Sequence, residues 1–393
     1  MRVLLVSDVY FPRVNGVSTS IRTFRGDLLA QGVETVLVAP HYPGQAPDTE
    51  AGVVRSPSGG VPKDPEDRRF RLGALRGTMQ ALKSQHFDLV HIHTPFIAHY
   101  AGRRFAREQR LPLIATYHTF FEEYLHHYVP MLPRRWGRAL ARHYTRSQCR
   151  DVDALIAPSA PMRDLLAGYG VDTRIEVLPT GLPAACFTRG DGARFRAAHG
   201  IPADRPLLLY VGRVAFEKNI DFLLRMFAEL RRSRPDALFV IAGEGPARAP
   251  LQAQAAALGL AGDTVFVGYL DRQQGLPDCY ASADAFVFAS RTETQGLVLL
   301  EAMAQARVVV STAMLGTASI LTPDCGARIV DEDVPRFAAA VAEVLADRQR
   351  AREMGLRARA YAETWSSARM ATRLVGLYGE VAARRQAGAA PLR

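Results

Sequence analysis

Residues 284–304 read DAFVFASRTETQGLVLLEAMA, and this stretch decides the fold class. Its first part, AFVFAS, is a short apolar run of the kind that forms a buried strand, whereas LVLLEAMA has the length and composition of a helix. A polar loop that contains Glu293 and Gly296 joins the two parts. A strand followed at once by a helix is half of a strand–helix–strand unit, so the stretch predicts a parallel sheet covered by helices.

The same alternation continues on both sides of this stretch. The predicted strands of the first half are RVLLVSD, ETVLVAP, FDLVHIH, PLIATYH, DALIAPS and IEVLPT, and those of the second half are PLLLYVGR, ALFVIAGEG, TVFVGYL, AFVFAS, RVVVSTA and GARIV. The breaker-rich segment PTGLPAACFTRGDGAR separates the two series. Because 393 residues are too many for one ordinary core, we predict an α/β protein with two doubly wound, Rossmann-like domains that face a cleft.

The domain boundaries follow from these two series. We assign residues 1–185 to an N-terminal domain and residues 190–365 to a C-terminal domain. Residues 366–393 are predicted to form a helix that returns to the N-terminal domain and ends in a frayed tail.

Composition narrows the function classes. Hydrophobic residues make up 48% of the chain and charged residues 22%, which is typical of a globular enzyme. No apolar run reaches the ~18 residues of a membrane-spanning helix, and we interpret the start, MRVLLVSDVYF, as a buried strand rather than a signal peptide. The four cysteines form no C-x-x-C pair, which argues against a zinc site or disulfide framework and favours the cytoplasm.

The charge is strongly basic. The formal net charge is +10, and residues 1–190 contain 24 Lys and Arg against 17 Asp and Glu, a net of +7. The excess therefore lies in the first half of the chain. It predicts an anionic partner, which on charge alone is a nucleic acid, a membrane surface or an acidic substrate.

Polar residues that follow the predicted strands are the candidate ligand-binding residues, because ligands of such sheets bind beyond the carboxyl ends of the strands. Glu293 follows AFVFAS, and a helix that begins near Gly296 offers unpaired N–H groups to an anion. Glu301 lies five residues further, roughly 7.5 Å along the helix axis. For Glu301 taken alone, a solvated helix face is the more common explanation.

A second segment, VGRVAFEKN at 211–219, follows the strand PLLLY and favours the ligand-binding explanation of Glu301 over the solvated helix face. Arg213 and Lys218 fall in the loop at the same sheet edge, where two cations suit a diphosphate. Lys218 is the only lysine in the second half of the chain, in which arginine otherwise replaces lysine. Ordinary surface charge is the alternative for either residue alone.

These segments together resemble a known family. VGRVAFEKN, AGEGP, VGYL and SRTETQGLVLLEAMA occur in the order and spacing of the retaining glycosyltransferases of family 4, and the likeness extends over nearly the whole chain. Its most specific part is the pair of glutamates separated by seven residues. The resemblance implies the GT-B fold and retention of anomeric configuration. It also implies that the second domain, residues 190–365, is the main nucleotide-sugar-binding domain and that the first, residues 1–185, is the acceptor-binding domain.

The resemblance also implies residue roles. Arg213 and Lys218 would hold the diphosphate, Glu293 the hydroxyls of the donor sugar and Glu301 the ribose. The remaining donor contacts would come from the backbone near Gly296, Leu297 and Val298, with Tyr269 and Leu270 near the base. One segment departs from the family: where many members carry two glycines and a glutamate after RVVVSTA, this chain reads AMLGTASIL. Donor contacts from that loop are left open.

In the first half, FPRVNGVSTS follows the first strand, and Asn15-Gly16 is a turn signal before a helix that Ser18 to Ser20 would cap. By the resemblance Gly16 faces the donor phosphates and the acceptor. His118 follows the strand PLIATY; a lone histidine is more often structural, but the family keeps one near the transferred sugar. Glu122 and Glu123 are candidates for receiving the acceptor, with a solvated loop as the equal alternative.

Residues 126–150 read HHYVPMLPRRWGRALARHYTRSQCR and contain no acidic residue. Arginines recur every four residues, and on a helix they form a basic stripe with apolar anchors, typical of an interfacial helix on anionic lipid. A solvated helix or a basic nucleic-acid patch is the alternative. The residues predicted to contact the membrane are Arg134, Arg135, Trp136, Arg138 and Arg142. TETQG together with YHTFFEEYLHHYVP is similar to bacterial glucosyltransferases that act on diacylglycerol.

No metal or other cofactor is predicted. Asp151 and Asp153 form a D-x-D pattern, but they precede the strand DALIAPS and so lie at the wrong sheet edge. His91 and His93 share one face of a strand, where one is expected to pack and the other to reach the cleft, without a third ligand. The fixed positive charge at the departing phosphate would then come from Arg213, Lys218 and the helix start at Gly296.

The sequence therefore favours a retaining glycosyltransferase, a hexosyltransferase that uses a nucleotide sugar, with UDP-glucose as the first choice, and a membrane lipid such as diacylglycerol as acceptor. It is expected to be cytoplasmic and peripheral at the inner face of the cytoplasmic membrane, without a nucleic-acid partner. The enzyme alternative uses a soluble or polysaccharide acceptor with GDP-mannose or another donor. A basic nucleotide- or nucleic-acid-binding protein without activity is the alternative from another class. The oligomeric state is not predicted.

Overall fold

A computed structural model describes residues 1–61, 64–118 and 134–388, and the chain forms two compact units. Unit 1 comprises Met1–Gly181 together with the C-terminal segment that begins at Ser367, and unit 2 comprises Leu182–Ser366. Within the described ranges, no helix is both long and apolar enough to cross a bilayer.

Unit 1 contains one large parallel sheet and a small hairpin. Its strands are β1 (Arg2–Val6), β2 (Glu34–Pro40), β3 (Val53–Ser56), β4 (Ser58–Val61), β5 (Asp64–Phe70), β6 (Leu89–Ile92), β7 (Leu113–Thr116), β8 (Ala154–Ala157) and β9 (Ile175–Val177). The order in the seven-stranded sheet is β3-β2-β1-β6-β7-β8-β9, and β4 pairs with β5 in an antiparallel hairpin. The helices described before residue 182 are α1 (Gly16–Ala30), α2 (Leu72–Leu82), α3 (Ile97–Gln109), α4 (Arg134–Cys149) and α5 (Ala160–Gly168).

Unit 2 contains a second parallel sheet. Its strands are β10 (Leu207–Val211), β11 (Leu238–Ala242), β12 (Thr264–Gly268), β13 (Ala285–Phe288), β14 (Val308–Ser311) and β15 (Arg328–Ile329), in the order β12-β11-β10-β13-β14-β15. Its helices are α6 (Gly192–Ala198), α7 (Ile220–Leu230), α8 (Arg248–Ala257), α9 (Gly275–Ser282), α10 (Leu297–Ala304), α11 (Val334–Ala346) and α12 (Arg348–Glu363). Every residue of β10, β11 and β13 is buried, which explains why these strands read as continuous apolar runs.

Every strand predicted from an apolar run is present, but the segment from residue 53 to residue 70 was not predicted to be extended. It supplies β3 and the β4–β5 hairpin. Its sequence, VVRSPSGGVPKDPEDRRF, is rich in glycine, proline and charge and contains no sustained apolar alternation. Pairing within the hairpin and along the edge strand β2 therefore determines this structure, rather than local propensity.

The last helix, α13 (Ser367–Gln386), completes the core of unit 1. It contributes Leu374 and Tyr378 to the same apolar cluster as Ile21 and Phe24 of α1. The Tyr378 hydroxyl also lies 2.6 Å from Nδ1 of His91, at the end of β6. Unit 1 is therefore built from two stretches of chain that are separated by the whole of unit 2.

Replacing Leu374 by alanine tests the contribution of α13. Leu374 is fully buried in the core of unit 1, so we expect Leu374→Ala to lower the free energy of unfolding by about 2–5 kcal/mol. Urea unfolding followed by far-ultraviolet circular dichroism measures the change.

The matched control is Leu29→Ala on α1 of the same unit, because Leu29 is 66% exposed. Its effect is expected to stay within about 0.5 kcal/mol. Equal effects of the two substitutions would show that α13 does not contribute to the core.

Candidate functional site

The candidate site of unit 2 lies where the strand order reverses. From β10 the chain proceeds outward to β11 and β12, and then returns to place β13 against the other side of β10. The pairing is parallel, with Leu208 opposite Ala285 and Leu209 opposite Phe286. The loops that leave β10 and β13 therefore begin side by side at the carboxyl edge, the usual ligand position of such sheets.

Lys218 and Glu293, from these two loops, form an ion pair. Lys218 Nζ lies 2.7 Å from Glu293 Oε2, although the residues are 75 positions apart. Both side chains are mostly buried, with 18% and 22% of their surfaces exposed. Asn219, which follows the 3-10 turn Phe216–Lys218, joins the loops further by donating from Nδ2 to the carbonyl of Ala289 at 3.1 Å. The structure thus brings together two of the predicted site residues.

Arg213 lies in the same loop as Lys218. Its Nη1 is 3.7 Å from Glu217 Oε1, and only 14% of its side chain is exposed. The Tyr210 hydroxyl donates to the carbonyl of Arg213 at 3.1 Å and so fixes the backbone there. Both predicted cations therefore face a carboxylate before any ligand is bound.

The start of α10 follows the Glu293 loop. Gly296 is its N-cap residue and has φ of 96°, a left-handed conformation that favours glycine. A β-carbon at this position would lie 3.2 Å from side-chain atoms of Leu299 and Thr317. Leu297 and Val298 form the first turn, whose N–H groups lack partners within the helix. The backbone here can therefore receive an anion at close range.

The AMLGTASIL loop packs directly against the Glu293 loop. Gly316 donates its N–H to the carbonyl of Glu293 at 2.8 Å. A β-carbon on Gly316 would lie 2.1 Å from the carbonyl carbon of Thr294, so no larger residue fits without movement. Thr317 is buried and caps the short turn Leu315–Ser319. The loop therefore supports the backbone of Glu293, and a donor contact from it stays a prediction.

Glu301 is buried rather than part of a solvated helix face. It is 6% exposed, and both carboxylate oxygens accept hydrogen bonds. Arg272 donates to Oε1, and the Tyr280 hydroxyl donates to Oε2 at 2.9 Å. Sequence reasoning identified neither partner. The rule that ligand-site residues follow strands would have pointed to Arg272, which comes four residues after β12.

The turn AGEGP after β11 requires its glycines because two loop backbones touch. A β-carbon on Gly243 would lie 1.9 Å from the carbonyl oxygen of Gly212, and one on Gly245 would lie 2.3 Å from that of Val214. Val214 in turn donates its N–H to the carbonyl of Glu244 at 2.9 Å. This contact fixes the backbone on both sides of Arg213.

Tyr269 and Leu270 begin the loop after β12. Tyr269 is 47% exposed, whereas Leu270 packs partly against the core of unit 2. An exposed aromatic ring at the carboxyl edge can stack on a flat ligand. The position is compatible with the predicted role near a nucleotide base.

In unit 1, Gly16 is the first residue of α1, after β1. Asn15 caps the helix by accepting from the N–H of Ser18 at 2.8 Å, so the prediction that Ser18 to Ser20 form the cap was wrong. Ser18 and Ser20 are instead buried inside the helix. A β-carbon on Gly16 would meet no atom of the described residues within 4 Å.

Three imidazole rings lie together: His91 within β6, His93 directly after it, and His118 two residues after β7. The ring centroids of His91 and His93 are 4.1 Å apart, and those of His93 and His118 are 5.9 Å apart. Both His91 and His93 are buried, and the expectation that one of them reaches the cleft stays a prediction. His91 is held by Tyr378 and by Thr116 Oγ1 at 2.7 Å. Among the described residues, Nε2 of His118 has no hydrogen-bond partner.

Burial keeps these histidines neutral. It lowers the pKa of His91 to about 3 and that of His118 to about 4, and it holds the pKa of His93 well below the usual value. A neutral imidazole both donates and accepts hydrogen bonds. The arrangement therefore suits a hydroxyl group better than an anion.

The predicted basic helix is α4, which the structure describes only in part. Arg134, Arg135, Trp136 and Arg138 belong to it, but their side chains lie outside the described residues, as do Glu122 and Glu123 altogether. Arg142 is exposed and lies over the ring of Tyr169, with its guanidinium carbon 5.2 Å from the ring centroid. Membrane contact remains a prediction.

The D-x-D residues have structural partners. Asp151 forms an ion pair with Arg103 at 2.6 Å, and Asp153 accepts from the N–H of Leu113 at 2.8 Å. Within residues 1–61, 64–118 and 134–388, no group of three potential ligands is arranged to hold a metal ion.

Comparison with known proteins extends these observations. Residues 14–185 match the family model for Glycosyltransferase Family 4, and residues 191–361 match that for Glycosyl transferases group 1. The chain is 34% identical to the alpha-monoglucosyldiacylglycerol synthase of Streptococcus pneumoniae, over 79% of this chain and 71% of that protein. It is 30% identical to a GDP-mannose-dependent alpha-mannosyltransferase of Mycolicibacterium smegmatis, over 99% and 100% of the two chains.

Among solved structures, sucrose-phosphate synthase from Thermosynechococcus elongatus superposes on this chain with a TM-score of 0.79. The sequence identity is 21%, and the alignment covers 97% of this chain and 99% of that one. This likeness shows that the chain has the GT-B fold, as its two parallel-sheet units indicate.

The neutral histidines predict a pH dependence of stability. Between the usual histidine pKa of 6.5 and about 4, the unfolded chain binds a proton that folded His118 does not, so the free energy of unfolding falls as the pH falls. His118→Gln is expected to make that fall shallower. Urea unfolding at pH 7, 6 and 5 measures it.

His143→Gln is the control, because His143 is exposed on α4. It is expected to leave the pH dependence of the wild-type protein unchanged. Identical pH profiles for His118→Gln and the wild type would show that His118 is not held neutral by the fold.

Proposed function

The chain belongs to glycosyltransferase family 4 and is a retaining hexosyltransferase, and we propose that it transfers glucose from UDP-glucose to diacylglycerol. The enzyme would work at the inner face of the cytoplasmic membrane. The observation that carries transfer from a nucleotide sugar is the pair Lys218–Glu293 beside the start of α10. It combines at one sheet edge a cation, a carboxylate that can accept from sugar hydroxyl groups, and backbone N–H groups without partners within the helix.

The electrostatic demand of the reaction explains this combination. When the bond between the anomeric carbon and the phosphate oxygen breaks, negative charge develops on the β-phosphate and positive charge on the sugar. Lys218 has three N–H donors and, in the part of the chain that the structure describes, gives one to Glu293, so two remain for phosphate oxygens. Arg213 would add a contact from two guanidinium N–H groups. The first turn of α10 would add backbone N–H groups, which bind without a loss of side-chain conformational entropy.

Retention of the anomeric configuration constrains the positions of the reacting groups. The acceptor hydroxyl would attack from the face that the phosphate leaves, with its proton passing to the departing phosphate oxygen. The new carbon–oxygen bond then has the configuration of the old one, and the products are an α-glycoside and the nucleoside diphosphate. Glu293 would orient the sugar hydroxyls without forming a covalent bond. The neutral imidazole of His118 would hold a sugar or acceptor hydroxyl.

The acceptor assignment depends on two observations. The Streptococcus pneumoniae relative is an alpha-monoglucosyldiacylglycerol synthase, and the alignment includes most of both chains. The basic helix α4 also fits anionic lipid, because each cation near such a surface contributes about 1 kcal/mol. Diacylglycerol is itself uncharged, so the arginines would bind the surrounding lipids rather than the acceptor.

A second candidate is GDP-mannose-dependent transfer. The mannosyltransferase relative aligns with nearly the whole chain, and it is named for GDP-mannose, which differs from UDP-glucose in both nucleotide and sugar. The residues proposed to hold the diphosphate and ribose would serve either donor equally. The choice between them therefore depends on contacts to the base and to the sugar.

Transfer to lipid vesicles tests the proposal. We expect UDP-glucose and dioleoylglycerol to give a monoglucosyl lipid, at least tenfold faster in phosphatidylglycerol vesicles than in phosphatidylcholine vesicles, because the basic helix would concentrate the enzyme on anionic lipid. Mass spectrometry identifies the product. Product from GDP-mannose alone would favour the second candidate, and transfer only to a soluble acceptor would contradict the lipid assignment.

Replacing Lys218 by methionine tests whether its positive charge stabilises the departing phosphate. Loss of one fixed positive donor at the departing phosphate is expected to lower kcat about 10²–10³-fold. Steady-state kinetics with the donor that the wild-type enzyme uses gives the value.

Lys83→Met is the control, because Lys83 also forms a lysine–glutamate pair, with Glu108 at 2.8 Å, and is of similar exposure in unit 1. It should retain wild-type kcat. If Lys218→Met kept more than a tenth of the wild-type kcat, Lys218 would not stabilise the leaving group.

Full turnover and unchanged donor affinity in Glu293→Gln would contradict the orienting role of Glu293.

A further inference from the structure

The carboxylate of Glu301 is fixed from two sides by residues of a single neighbouring segment. Arg272 belongs to the loop between β12 and α9, and Tyr280 belongs to α9. Arg272 donates to one oxygen and Tyr280 to the other. The Tyr280 side chain is fully buried, and burial raises its pKa, so its hydroxyl keeps the proton that it donates.

The loop that carries Arg272 is itself held in place by its neighbour. Asp271 accepts hydrogen bonds from the N–H groups of Gln273, Gln274 and Gly275, at 3.0, 2.7 and 2.9 Å. These bonds fix the backbone immediately after Arg272 and start α9. Arg272 has 27% of its side chain exposed, so it can contact a ligand only over a small part of its surface. Its largest electrostatic partner is Glu301, whose charge raises the pKa of the guanidinium.

We propose that Arg272 is a positioning residue for ribose recognition: with Tyr280 it fixes Glu301 so that the carboxylate accepts both hydroxyls of a vicinal diol. The inference rests on the proposed donor site, in which Glu301 binds the nucleotide. Neither Arg272 nor Tyr280 needs to touch the nucleotide for this role.

The chemistry of the carboxylate supports this role. Each oxygen of an ionised carboxylate has two acceptor positions, and Arg272 and Tyr280 occupy one on each. No other donor among the described residues contacts these oxygens, so one acceptor position on each remains, which matches two adjacent O–H donors. A diol of this kind is present in ribose, and 2′-deoxyribose lacks half of it.

Charge gives Arg272 a second effect. An unpaired carboxylate on the second turn of α10 would repel a diphosphate at the first turn, where the resemblance predicts it to bind. Pairing with Arg272 cancels that repulsion while leaving the oxygens able to accept hydrogen bonds. Glu301 can therefore lie close to an anionic ligand and still recognise its hydroxyl groups.

Calorimetric binding of UDP and of 2′-deoxy-UDP tests the proposal, with GDP and 2′-deoxy-GDP as a parallel pair. We expect the wild-type protein to prefer the ribonucleotide of its own base by about tenfold or more. Glu301→Gln and Arg272→Met should each reduce the preference below about threefold. Their effects should be non-additive in the double variant, and Arg272→Lys should restore part of the preference.

The control is Arg205→Met. Arg205 pairs with Asp263 and has 25% of its side chain exposed, but it precedes β10 and so lies at the opposite edge of the same sheet. This variant should lose stability in thermal unfolding and keep the wild-type preference for ribose. It therefore separates loss of a half-buried ion pair from loss of ribose recognition.

Three outcomes would overturn the inference: Arg272→Met that weakens ribonucleotide and deoxyribonucleotide equally, additive effects in the double variant, or a wild-type protein that binds neither UDP nor GDP. Failure of the proposed function gives a different result. A protein that binds UDP with ribose preference but does not glycosylate diacylglycerol would refute the acceptor and leave the role of Arg272 intact.

Discussion

The parallel pairing of β10 with β13 is the constraint on which the candidate donor site depends. It brings two loops from distant parts of the chain to the same sheet edge, where Lys218 and Glu293 meet at 2.7 Å. The other strands of unit 2 extend away from this junction on either side. Glycine contacts then fix both loops, Gly243 against Gly212 on one side and Gly316 against Thr294 on the other. The site is therefore held by backbone packing, and its charged side chains need not supply the stability.

Charge compensation is the second property of this site. Arg213 faces Glu217, Lys218 faces Glu293 and Arg272 faces Glu301. A cation that already contacts a carboxylate has lost part of its bound water. Binding a phosphate therefore removes less water from it than from a free, hydrated cation. The carboxyl edge of unit 1 differs, since its histidines are neutral and suit uncharged hydroxyl groups. The two units thus present different chemistry at equivalent sheet edges.

Much of this arrangement could be predicted from the sequence, because strand ends are visible in it. Arg213, Lys218 and Glu293 each follow an apolar run, and the sheet rule assigns them to one edge. The burial of Glu301 could not be predicted in the same way, because its partners Arg272 and Tyr280 come from a segment that only the tertiary structure brings near. For the same reason the pattern at His91 and His93 predicted a shared strand face but not the tertiary packing that buries both residues.

The return of α13 to unit 1 has a consequence for biosynthesis. The helix provides Met370, Leu374 and Tyr378 to the core that β1 and α1 begin, so the first stretch of unit 1 is synthesised before unit 2 and its last helix after unit 2. Unit 2, formed by one continuous stretch, has all its strands and helices available earlier. Until α13 emerges, the nascent chain exposes the apolar side chains of α1 that this helix covers, a surface that chaperones recognise.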